Sequence, residues 1–128
     1  MMSNDNQTKQ QTYRDMMLTN LETIPNHTIL NHFGMVSGSV VRAKHIGTDF
    51  LAGIKNIVGG ELGGYTKLME ESRAQAVDRM VQQSRHLGAN AITNIRFATS
   101  SITAGAVDLY VYGTALRVEK TVTPSSYS

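Results

Sequence analysis

Ala106-Val107-Asp108-Leu109-Tyr110-Val111-Tyr112-Gly113-Thr114-Ala115-Leu116-Arg117-Val118 decides the architecture of this chain. Side chains alternate across a strand, so Val107, Leu109, Val111 and Ala115 line one face and Tyr110, Tyr112, Leu116 and Val118 the other. A strand that is apolar on both faces needs two covers. A helix can supply one; in so small a body, the simplest source of the second is a neighbouring copy of the same chain.

Immediately upstream, Asn90 to Thr99 reads as another strand, and Ser100 to Gly105 as the hairpin loop between the two. Before it, a long helix is expected from about Tyr65 to Leu87, with Met69, Ala76, Val77, Met80, Ser84 and Leu87 as its buried stripe. Arg85 and His86 complement the helix dipole in the last turn, and Gly88 suits the left-handed position after it. Gly59, Gly60, Gly63 and Gly64 read as the corner that separates this helix from a shorter one over residues 48–58. There Phe50, Ile54, Ile57 and Val58 recur at helical spacing behind a Thr48 or Asp49 cap. Further upstream, Thr28 to Phe33 and Gly34 to Lys44 read as two extended runs. In the second run Val36, Val40, Arg42 and Lys44 share one face and Met35, Val41 and Ala43 the other; Gly34 and Gly38 mark bends or a bulge. The order is β-β-α-α-β-β: a small α+β domain with a largely antiparallel sheet, one short helix and one long one.

The length, 128 residues, fits a single domain over residues 22–120. Residues 1–21, rich in Asn, Gln and Thr, read as a mostly disordered or docking arm whose one apolar cluster is Met16-Met17-Leu18; residues 121–128 read as a polar tail. The chain has no cysteine, which removes disulfides, thiol nucleophiles and cysteine-ligated metals. No apolar run is long enough to span a membrane, and no secretory leader is visible, so the expected location is the cytoplasm.

Net charge is +2 and evenly spread. Lys67, Arg73, Arg79 and Arg85 recur every six residues, which distributes them around the helix rather than along a stripe. With aromatic content of 6% and no Trp, neither a basic face nor a stacking platform argues for nucleic acid. The glycine corner lacks the Gly-Lys-Ser/Thr ending of a phosphate loop, and Glu61 within it would repel phosphate. The histidines are His27, His32, His45 and His86. In an extended strand His27 and His32 lie about 16 Å apart on opposite faces, so they share no metal. If a metal binds, the candidates are His32 and His45, with copies of the chain bringing one ligand each to an axis. Asp108 interrupts an apolar strand; the plain reading is an ion pair with Arg42 or Arg96, the sharper one an intersubunit catalytic site with Tyr110 and Tyr112.

The body resembles the YbjQ family. The resemblance is carried by Gly34-Met35-Val36-Ser37-Gly38, by Asp49 to Gly60, by Gly64-Tyr65, by Leu87 to Ile92 and by Val111-Tyr112-Gly113-Thr114-Ala115, and it covers about residues 22–119. It implies a dodecin-like α+β subunit assembling into rings, pentameric or decameric, and it carries a heavy-metal-binding label. This chain departs from the family pattern at Asn90, where an acidic residue is frequent, and over Arg96 to Ser101, which holds no carboxylate. The expected function is therefore a homo-oligomeric ring protein with a structural or small-ligand-binding role, no cofactor and no catalysis of its own. Metal binding is the first alternative and the intersubunit enzyme the second. The expected subunit contacts are Phe50, Ile54, Ile57, Leu109, Tyr110, Val111 and Tyr112.

Overall fold

The long helix, α1, runs from Gly63 to Leu87 in a computed structural model that describes residues 13–43, 63–103 and 106–122. It begins two residues before the expected start, so Gly63 and Gly64 belong to its first turn and not to the corner. Its C-terminus closes as the sequence implies. Gly88 sits at φ +90°, its N–H donates to the Arg85 carbonyl at 3.0 Å, and the Ala89 N–H reaches back to the Ser84 carbonyl at 3.0 Å. That pair of bonds is a Schellman cap, and the positive φ is what makes glycine the fitting residue there.

Four strands form one sheet: β1 (Met17–Leu18), β2 (His27–Ala43), β3 (Ala91–Thr103) and β4 (Ala106–Lys120), in spatial order β1-β3-β4-β2. β4 pairs antiparallel with β2 and β3, while the two residues of β1 pair parallel with β3, so the sheet is mixed. The expected short helix with Phe50, Ile54 and Ile57, the corner glycines Gly59 and Gly60, and His45 lie outside the described residues.

Three details differ from the sequence reading. β2 is one strand of 17 residues, because Gly34 at φ +92° ends no strand: the register slips past Phe33 between His32 and Gly34, a bulge that sends Phe33 toward the helix end. β3 continues through Thr103, beyond the expected hairpin loop at Ser100. The segment read as an arm is built into the body from residue 13 on. Met16 is 3% exposed in the core beneath α1, and Met17 pairs with Ala91.

α1 lies over β2 and β4 on one face of the sheet. Val36, Val40, Val111 and Ala115 meet Ala76, Met80 and Val81 there, with Ile92 and Met16 closing the β3 side. The helix sits so close to β2 that a Cβ on Gly38 would stand 2.0 Å from the Ala76 carbonyl oxygen and 2.6 Å from the Met80 nitrogen. Gly113 is pressed similarly, with a Cβ falling 2.7 Å from Ile92 Cγ2. Over that spot β3 bulges, with Asn94 at φ +56° and the register shifting between Thr93 and Arg96. Leu87, expected in the buried stripe, is 44% exposed because it lies in the final turn, past the sheet-facing row.

The segment before β1 is clamped to the helix by four side chains. Arg85 holds Asp15 through two bonds, Nε to Oδ2 at 2.6 Å and Nη2 to Oδ1 at 2.8 Å. Its guanidinium lies 5.6 Å from the centre of the Tyr13 ring, and the Tyr13 hydroxyl donates to Asp78 Oδ1 at 3.3 Å. The hydrogen bond and ion pair to Arg85 hold the Asp15 carboxyl below its usual range. Burial first, and then the charge of Asp78, push the Tyr13 phenol up from 10.0 to about 12. A folded state that holds this proton more tightly gains stability that is fully present below pH 10 and is lost as pH rises through about 12. Ultraviolet titration should therefore show a phenol step near pH 12, and Tyr13→Phe should abolish that step. A parent chain whose phenols all ionise near their ordinary value would contradict the clamp.

Candidate functional site: the uncovered face of the sheet

The face of the sheet opposite α1 is read directly from the register. β2 presents Met35, Ser37, Ser39 and Val41; opposite them β4 presents Thr114, Tyr112, Tyr110 and Asp108; beyond those β3 presents Arg96, Ala98 and Ser100. At one end the chain covers this face itself: Leu116, Val118 and Ala91 pack under Met17 and Ile24. The second cover that the two-faced strand demands thus comes partly from the N-terminal segment, where the sequence reading looked to a neighbour.

Over the rest of the face no other described element packs, and at its far end Asp108 Oδ1 is buried. Tyr110 and Tyr112 are half-buried, their ring centres 5.8 Å apart and tilted by 30°. Ser39 and Ala98 stand beside Tyr110, and Ser37 and Arg96 beside Tyr112. Met35 is 77% exposed and Val41 is 43% exposed. A sheet face with two neighbouring aromatic rings and exposed apolar flanks suits protein contact.

The expected contact residues separate here. Tyr110 and Tyr112 lie on the uncovered face. Leu109 (3% exposed) and Val111 (0%) point the other way, to the helix side of the sheet, where Val111 packs in the core beneath α1. Asp108 does not make the expected ion pair. Arg42 turns toward α1, its Nε donating to Ser72 Oγ at 3.1 Å and its Nη2 to Gln75 Oε1 at 3.4 Å. Arg96 donates from Nη1 to the carbonyls of Asn20 and Ile95, each at 2.9 Å. Asp108 is left with a buried Oδ1 that has no hydrogen-bond partner.

For a metal, the described residues do not fit. They contain no group of three or more His, Asp or Glu side chains placed to share an ion. His27 Nδ1 is 2.8 Å from the Pro25 carbonyl, and His32 is exposed opposite Leu116, at the end of the face that Met17 and Ile24 help to cover. Asn90, where the family pattern is frequently acidic, is structural in this chain. Its Nδ2 donates to the Val118 carbonyl and its Oδ1 accepts from the Val118 N–H, both at 2.8 Å, so it extends the sheet as a strand residue would. A carboxylate could supply only the acceptor half. Among the described residues no helix is long and apolar enough to cross a membrane.

Fold and surface define a class: a small α+β subunit whose single described helix covers one face of a four-stranded mixed sheet. The chain belongs to the YbjQ family, whose model, described as "Putative heavy-metal-binding", matches residues 16–119. It is 57% identical over 104 residues to a UPF0145 protein of Hahella chejuensis, covering 81% of this chain and 100% of that one. A UPF0145 protein of the archaeon Archaeoglobus fulgidus is 46% identical over 105 residues, covering 82% of this chain and 97% of that one. Among solved structures, a crystal structure of a DUF74-family protein from Pediococcus pentosaceus aligns with a TM-score of 0.51 at 13% identity, over 81% of this chain and 98% of that one. That likeness speaks for the fold alone.

Proposed function

We propose that the chain is the subunit of a homo-oligomeric ring with a structural or small-ligand-binding role and no catalysis of its own, and that the uncovered sheet face makes the contacts. The observation that supports this most is the pairing of half-buried Tyr110 and Tyr112 with exposed Met35 and Val41 on one face of the sheet, while the opposite face packs against α1. A repeated subunit buries such a face without a second protein. The family resemblance favours five or ten copies. Met35 tests the reading cleanly because, at 77% exposure, it contributes little to the fold of one chain. Met35→Asp should leave helical circular dichroism unchanged and weaken assembly at least about tenfold, read by sedimentation across a dilution series. Unchanged assembly in a folded Met35→Asp variant would remove the face from the contact.

Metal binding is the second reading, and the family's description is what favours it. In this chain it would require copies to pool ligands, with His32, exposed on β2, and His45 as the donors to remove first.

A further inference from the structure

Among the described residues β2 is an outer strand of the sheet, and an outer edge of 17 residues is a template for adding another strand. Its middle is occupied by the chain's own helix. The Ser37 N–H donates to Gln83 Oε1 at 2.8 Å, and the Ser39 carbonyl accepts from Arg79 Nη1. Both backbone groups therefore point away from β4, to the open side. Arg79 and Gln83 are four residues apart on α1 and reach the edge because Gly38, between the two serines, lets the helix backbone come down onto the strand.

The two groups so occupied have a particular geometry. If β2 paired antiparallel with β2 of a second copy about a two-fold axis at Gly38, Ser37 of each strand would face Ser39 of the other. The Ser37 N–H and the Ser39 carbonyl are the groups that would then bond across the axis. Gln83 Oε1 stands where the second copy's carbonyl would be, and Arg79 where its N–H would be.

We infer that Arg79 and Gln83 form an edge lock: they close the centre of β2 against strand addition by a second copy of this chain. The lock works on a monomer and on a ring alike, since it concerns the edge of the sheet and not its face. It also accounts for two polar residues that neither the core nor the uncovered face uses.

The test is amide exchange followed residue by residue on the full chain by NMR at low protein concentration, with mass measured in parallel across a concentration series. In the parent chain the Ser37 amide should exchange slowly although it lies on an outer edge. Gln83→Ala should speed it about tenfold, the effect of losing one hydrogen bond, and Gln83→Glu, which keeps an acceptor oxygen, should restore protection. The double variant Arg79→Ala/Gln83→Ala keeps good helix formers at both positions and should retain parental circular dichroism. Its mass should climb above the parent's as concentration rises. A Ser37 amide that exchanges equally in parent and Gln83→Ala would overturn the lock. So would a folded double variant with the parental mass at every concentration. A parent chain found to be monomeric would end the ring reading and leave both of these readouts in force.

Discussion

Gly38→Ala is expected to cost about 3 kcal/mol or more, a large share of the stability of a domain this size. The new methyl carbon would lie 2.0 Å from the Ala76 carbonyl oxygen, 2.6 Å from the Met80 nitrogen and 3.0 Å from Arg79 Cβ. Two of these three atoms are helix backbone, so no side chain can swing aside. α1 must lift from β2 as a body, which loosens the packing of Ala76 and Met80 and draws Arg79 and Gln83 away from the strand edge. Thermal melts should show a fall of more than about 12 °C. Ser39→Ala, one residue along and exposed, should fall within about 0.5 kcal/mol of the parent. A Gly38→Ala variant as stable as Ser39→Ala would mean that the helix is not seated where the fold places it.

Met80→Ala is expected to be the most costly truncation in the core. Met80 is 0% exposed and is among the largest fully buried side chains, between Val36 and Val40 of β2 and the β4 side of the same cluster. Removing three heavy atoms there loses their burial and leaves a cavity that rigid strands cannot collapse, about 2–5 kcal/mol in urea unfolding. Met35→Ala makes the same chemical change at a site 77% exposed and should cost less than about 0.5 kcal/mol. Equal effects at the two methionines would contradict the assignment of the two sheet faces.

The legible parts of this fold were those with strong local periodicity. β4 could be divided into its two faces from its residues alone, and the structure keeps that division from Val107 to Val118. The end of α1 was legible because Gly88 answers a backbone requirement that few other residues can meet. What escaped depends on contacts distant in sequence. Met16-Met17-Leu18 is too short to announce a strand, and its pairing partners are Ala91 and Ile92 in β3. Gly38 reads as a bend when only its neighbours are considered; its reason is the helix more than 35 residues away. Arg79 and Gln83 look like solvated helix surface, and only the seat of α1 on β2 turns them toward a strand edge. Their four-residue spacing was the one available signal, and spacing alone does not say what a pair faces. Asp108 was rightly singled out as anomalous, but its expected arginines are drawn away by Ser72 and Gln75 on one side and by Asn20 on the other.

The central claim is that the face carrying Tyr110 and Tyr112 is a contact between copies. Light scattering on the parent chain, with metal content measured on the same peak, tests it most directly. A mass of five or ten times 14.0 kDa that holds on dilution is the predicted result. A single species at 14.0 kDa at all concentrations would contradict the account, and the uncovered face would then need an occupant other than the chain itself.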